Sequence, residues 1–310
     1  MINFRYHVVS LTAVFLALAI GLVLGTAALN GPVADSLKNT VTALRKDNQQ
    51  LRDTVGSLQD EVNREEDFAT EAAPILLHGK LANRRVLVVT LPRGQEHADG
   101  VIDMLRMAGA RVTGRIDMQD KFVNPDSNND LLGLAARSAQ PTVPAAGLPG
   151  NSNGVETSSA QLASALLDRG PTAASDGDRR AVLKAYASNG FLTVDDEVTG
   201  PADTVVVVSG PPHVDRDSAE KDRAVVTMVV EFDKAVPLVV AGSGAGDGNV
   251  VAAVRSDPAL SKTVSTVDNA NTSQGQVVTA LATIEQVQLN RAGQYGLATG
   301  AASLMPKMPE

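Results

Sequence analysis

No cysteine occurs in the 310 residues, which excludes disulfides, thiolate zinc sites, iron–sulfur clusters and cysteine nucleophiles. The compartment stays open, because oxidising compartments permit disulfides without requiring them. Tryptophan is absent as well and aromatics reach only 3%, so the chain offers no stacking platform for nucleic acid and no aromatic girdle of the kind outer-membrane barrels carry. Positive charge is also short. A formal net charge of -8 leaves no basic field to neutralise phosphates, and a nucleic-acid partner has no support. Apolar residues are not scarce: at 44% they suffice for the core of one α/β domain with accessory segments.

From Val8 to Leu29 the sequence carries no charge and matches the roughly 20 residues that cross a bilayer. Twelve of these residues are Leu, Ile, Val or Phe, so they supply about -4 to -7 kcal/mol of insertion energy. Arg5 precedes the segment and no positive residue follows until Lys38, which places the N-terminus in the cytoplasm and exports the rest. A cleaved signal peptide is the competing reading, with Gly25-Thr26-Ala27 as a small-residue cleavage site, but the apolar stretch exceeds the usual 7–15 residues. Ala13, Ala17, Gly21 and Gly25 form a small-residue stripe, a face for a second copy or for a partner's helix.

Asn30-Gly31-Pro32 interrupts the helix, and Pro32 suits the first position of a new one. A heptad register follows. Leu37, Leu44, Leu51 and Leu58 fall at position d, and Ala34, Val41, Asn48, Val55 and Val62 at position a. β-Branched residues at a with Leu at d favour two parallel strands, and one buried Asn fixes register and dimer state. Asp47 meets Arg52 of a second copy, whereas Glu61 faces Glu66, so pairing weakens toward Glu65. The seam from Ala34 to Val62 makes a stalk of roughly 43 Å. An intramolecular helix packed on the globular domain is the alternative, for which a wider apolar stripe is expected.

The pattern predicts a cytoplasmic start and transmembrane helix over 1–29, a coiled-coil stalk over 30–73 ended by Pro74, and an extracytoplasmic α/β domain over 74–300. Strands are expected at Arg85–Leu91, Arg111–Asp117, Thr204–Ser209 and Pro237–Ala241. Helices are expected at Glu96–Ala108, Asp130–Ser138, Ala160–Leu167, Asp178–Ser188, Ser218–Asp233 and Gln274–Val287. Residues 140–159, rich in Pro, Gly, Asn and Ser, read as a surface loop, and 301–310 as a loose tail. Apolar runs alternating with helices imply βαβ units in a mainly parallel, doubly wound, Rossmann-like sheet.

Chemistry is sparse. The run Gly242–Gly248 follows a strand but lacks the third glycine of a dinucleotide loop and any Gly-Lys-Ser/Thr, so it reads as a flexible turn. Ser209-Gly210 and Ser243-Gly244 form no nucleophile elbow, and His7, His78, His97 and His213 show no ligand spacing. For a soft metal the candidates are Met104 and Met107, three apart on one helix, with His97 two turns upstream. Met104 also belongs with Val101, Leu105 and Ala108 on a core face. Met305 and Met308 in the tail lack a third ligand, and Asp195-Asp196-Glu197 reads as a solvated acidic turn. No enzyme emerges.

The opening MINFRYHVVSLTAVFLALAIGLVLGTAAL, the coiled coil behind it and the strand RRVLVVTLP resemble the actinobacterial copper transport family typified by mycobacterial copper transport protein B. The later segments VSTVDNANTSQGQ and GQYGLATGAA are similar to that family too. The resemblance implies copper efflux or copper homeostasis at the cell envelope, with copper as the metal handled. It also implies, from corynebacterial members, a role in cell division or wall remodelling through a membrane partner. One apolar helix per chain encloses no lumen, so an oligomer or a partner must supply any route for an ion.

Overall fold

The computed structural model describes residues 4–29, 31–145, 148, 152–195 and 198–307. The chain divides into two units, residues 1–64 and 65–310. The first holds α1 (Phe4–Leu29) and most of α2 (Pro32–Leu77), with the break where Gly31 and Pro32 stand. Thr12 and Thr26 each return their hydroxyl to a backbone carbonyl one turn back, so neither presents an unsatisfied polar group on this apolar helix. Side chains along the heptad seam are exposed, Leu37 and Leu51 each at 65%.

In the second unit α2 runs through Pro74 to Leu77 rather than stopping at the proline. Pro74 lies within the last turn and is exposed. Its missing N–H costs one bond, while Ala69, Ala73 and Leu77 are buried one turn apart and hold the helix down by packing.

The elements that follow are β1 (Arg85–Thr90), α3 (Gln95–Met107), β2 (Arg111–Met118), α4 (Asp120–Val123), α5 (Asn128–Arg137), α6 (Gly154–Leu166), α7 (Asp176–Ser188), β3 (Leu192–Val194) and β4 (Thr204–Val208). Then come α8 (Ser218–Asp233), β5 (Leu238–Ala241), α9 (Val250–Ser256), β6 (Val264–Val267), α10 (Ser273–Leu289) and β7 (Gln294–Tyr295). The strands form one sheet in the order β3-β2-β1-β4-β5-β6-β7. All neighbours are parallel except β3, which pairs antiparallel with β2. The sheet is therefore mixed and mostly parallel.

Its two faces divide the valine runs. Val205 and Val207 of β4 join Leu87 and Val89 of β1 in one core, beneath α6 and α8. Val206 and Val208 join Val86, Val88 and the buried residues of α2, α3 and α10 in the other. Period-2 alternation on a strand covered from both sides makes both residue sets apolar, hence the unbroken TVVVV.

Three expectations change. Residues 140–159 are not all loop, because α6 starts at Gly154, where Asn153 accepts a hydrogen bond from the Glu156 amide and caps it. Strands β3, β6 and β7 and helix α9 were not expected; each is seven residues or shorter. The described part of the tail is tied down, with Ala302 donating its N–H to the Gln294 carbonyl (2.7 Å) and Pro306 buried.

Candidate functional site at the switch point of the sheet

The connections from β1 and β4 leave in opposite directions, so a crevice opens where these neighbouring strands end, the place where open α/β sheets bind ligands. The loop after β1 and the loop after β4 touch there. A Cβ on Gly94 would lie 2.5 Å from the Val208 carbonyl oxygen, and one on Gly210 would lie 2.3 Å from that of Arg93, so only glycine permits the approach. Pro211 and Pro212 then stiffen the chain that delivers His213.

His213 is the central side chain, 10% exposed. Its Nδ1 lies 3.1 Å from Asp222 Oδ1 on α8. Its Nε2 is buried with no hydrogen-bond partner and lies 4.0 Å from Asp120 Oδ1, at the start of α4 beyond β2. The Ser209 hydroxyl is likewise buried and unpartnered. Ser209, His213 and Asp222 line a cavity of about 20 Å³, room for one water-sized body, to which Asp120 does not contribute. Lys221 is paired with Asp215, which holds the carboxyl below the usual aspartate range and raises the ammonium. Arg93 is turned to the Pro212 carbonyl oxygen at 3.3 Å.

The expected metal candidates lie elsewhere. Met104 is 7% exposed in the core with Val101, Leu105 and Ala108, Met107 packs against that core half-buried, and His97 is half-buried earlier on α3. His7 and His78 are exposed. Among the described residues no three His, Asp or Glu side chains group to hold a metal ion. Met305 is 49% exposed, and Met308 lies outside the described residues. Asp195 faces the Arg115 guanidinium at 3.6 Å, while Asp196 and Glu197 lie outside the described residues.

Two amides of the glycine run turn inward. Gly242 donates to the Val267 carbonyl and Gly244 to that of Asp268, so neither N–H is presented to a phosphate. On α1, the stripe of Ala13, Ala17, Gly21 and Gly25 is exposed. A Cβ on Gly21 or Gly25 would meet nothing within 4 Å.

Sequence reasoning passed over His213 because Asp120 comes from a distant part of the chain, although Asp222 lies only nine residues on. The available signal was position: Ser209 to His213 follow the TVVVV strand directly, but reading it required the strand order.

Residues 1–306 match the family model described as "Copper transport outer membrane protein, MctB". The chain belongs to this family. Its relatives include the protein named "Copper transporter MctB" in Mycobacterium tuberculosis, 28% identical over 323 residues, spanning 98% of this chain and 99% of the relative. The protein of the same name in Mycobacterium leprae is 28% identical over 336 residues with the same coverage. The MctB match is end to end, so it takes in the apolar helix, the heptad segment and the α/β unit together. Its description names copper transport and no reaction. Among the described residues the sheet is open, ending at β3 and β7.

Proposed function

We propose that this MctB-family chain is a membrane-anchored, dimeric copper-handling protein, with copper as its cargo. The observation that carries the reading is the family match over residues 1–306. Two features support its physical form. Helix α1 is long and apolar enough over Phe4–Ala27 to cross a membrane, and none of that stretch is buried within the protein. The exposed a/d seam of α2 is the surface two parallel copies would close. With no lumen in a single helix, the dimer or a partner protein provides the route for the ion. Nothing in the fold or among the named relatives favours a cell-division role over copper handling.

The test is copper content. Cells lacking the gene are loaded with copper and metal is measured by mass spectrometry, with the full chain and a chain lacking residues 1–29 as complements. The reading expects a several-fold excess of cell copper without the gene, corrected by the full chain only. Equal copper in all strains defeats it.

A further inference from the structure

We infer that the switch-point crevice binds a divalent first-row transition ion through His213 Nε2 and an Asp120 carboxylate oxygen, with Asp222 orienting the imidazole. Metal-bound histidines almost always give their other ring N–H to a carboxylate, which fixes the tautomer and raises ligand basicity. Asp222 stands in that place, 3.1 Å from Nδ1. With Nδ1 protonated, this leaves a lone pair on Nε2, which is buried and has no hydrogen-bond partner among the described residues. Leaving such an atom unsatisfied costs about 1–3 kcal/mol, which favours a ligand that takes its lone pair.

Distance selects the kind of occupant. At 4.0 Å, Nε2 and Asp120 Oδ1 are too far apart for a hydrogen bond. Two donors each about 2.0–2.2 Å from one ion reach a span of roughly 4 Å when they lie on opposite sides of it. Asp120 is 74% exposed, so one ligand sits at the rim where an ion arrives, and the buried imidazole receives it. Asp222 and Asp215 add negative charge, while the nearby cations are engaged, Lys221 by Asp215 and Arg93 by the Pro212 carbonyl.

Gly248 leaves room for the Asp222 carboxylate. It has φ +77°, and a Cβ there would come within 3.1 Å of Asp222 Oδ2. Because no three carboxylate or imidazole groups converge among the described residues, water fills the remaining positions. A two-ligand site holds an ion reversibly, which suits passage more than storage. Imidazole with carboxylate selects Cu(II) or Zn(II) over Cu(I), and the Irving–Williams order puts Cu(II) first.

The choice of copper rests on the proposed function; the site itself does not. The test is a titration of the full-length protein in detergent with Cu(II) and Zn(II), followed by electron paramagnetic resonance of the Cu(II) form. Wild-type protein should show one Cu(II) site with nitrogen coupling from a single imidazole. His213→Ala should abolish that signal, and Asp120→Asn should weaken binding about tenfold. Asp222→Asn should cost about 10–100-fold. A Met104→Ala/Met107→Ala double variant should bind Cu(II) unchanged. Far-UV circular dichroism checks that each variant folds.

Equal Cu(II) affinity in wild type and His213→Ala, or no bound ion at all, overturns the site. The two readings then separate. If the site fails while gene loss still raises cell copper, the function stands without it. If Cu(II) binds His213 while cell copper is unaffected by gene loss, the site stands and the copper function falls.

Discussion

At the scale of single residues, Asp268 shows how a family-like motif can be structural. It sits in the segment VSTVDNANTSQGQ, and its carboxylate accepts the backbone N–H groups of Leu297 (2.7 Å) and Ala298 (3.1 Å) from GQYGLATGAA. The Arg255 guanidinium completes the contact at 2.9 Å, with the two side chains 6% and 1% exposed. Gly296 is required between them: its φ is +126°, and a Cβ would lie 2.2 Å from Asp268 Oδ1. The same Arg255 donates to the carbonyl oxygen of Tyr295 at 2.7 Å, holding edge strand β7. Asp268→Ala would strand a buried guanidinium and two amides, so it should cost about 3–5 kcal/mol. The check is urea unfolding followed by far-UV circular dichroism, since Trp is absent. An Arg255→Met/Asp268→Leu pair should recover part of the loss, because removing both charges also removes their desolvation cost. Equal midpoints for wild type and Asp268→Ala would refute the structural role.

At the scale of elements, the legible parts were long or strongly periodic. α8 and the cores of β1 and β4 fall where apolar runs place them, because both faces of the central strands are covered. Helix α6 was legible only in part, since its buried side includes Ser158, Ser159 and Gln161. These look like loop chemistry until Gln161 is seen accepting from the Tyr186 hydroxyl at 2.8 Å and donating to the Ala135 carbonyl at 2.8 Å. Its start did carry a signal, Asn153 with Glu156 three residues on. Strands β6 and β7 are too short for a period to register, and the sheet's order supplies what their sequence lacks. The crevice around His213 was hidden for the same reason: its ligands meet only after β2 and β4 have flanked β1.

The heptad seam of α2 is the opposite case, plain in sequence and unpaired in a single chain. If two copies close it, Asn48 is buried at an a position and costs about 1–3 kcal/mol while fixing register. Asn48→Val should therefore raise the thermal stability of the paired form by about that amount, and cross-linking of the membrane-embedded protein should spread from dimers into higher species. Monomer alone for both variants would exclude the paired stalk.

At the scale of the whole molecule, the question is which part meets lipid. The sheet is open and its edge strands are three and two residues long, short edges that limit pairing with other chains. Helices cover both sheet faces and bury an apolar core on each. Among the described residues only α1 passes the test of length and apolarity for a span. Its one flanking arginine, Arg5, lies on the N-terminal side, and lipid-facing helices keep such charge in the cytoplasm. On the orientation we propose, residues 65–310 are extracytoplasmic. Carbonate extraction should leave the full chain in the membrane pellet and release a chain lacking residues 1–29. Protease added to spheroplasts should digest the α/β unit while sparing an N-terminal tag until the membrane is opened. Protection of the α/β unit with digestion of the tag would reverse the orientation, putting His213 and Asp120 on the cytoplasmic side, where they would meet copper before export instead of after it.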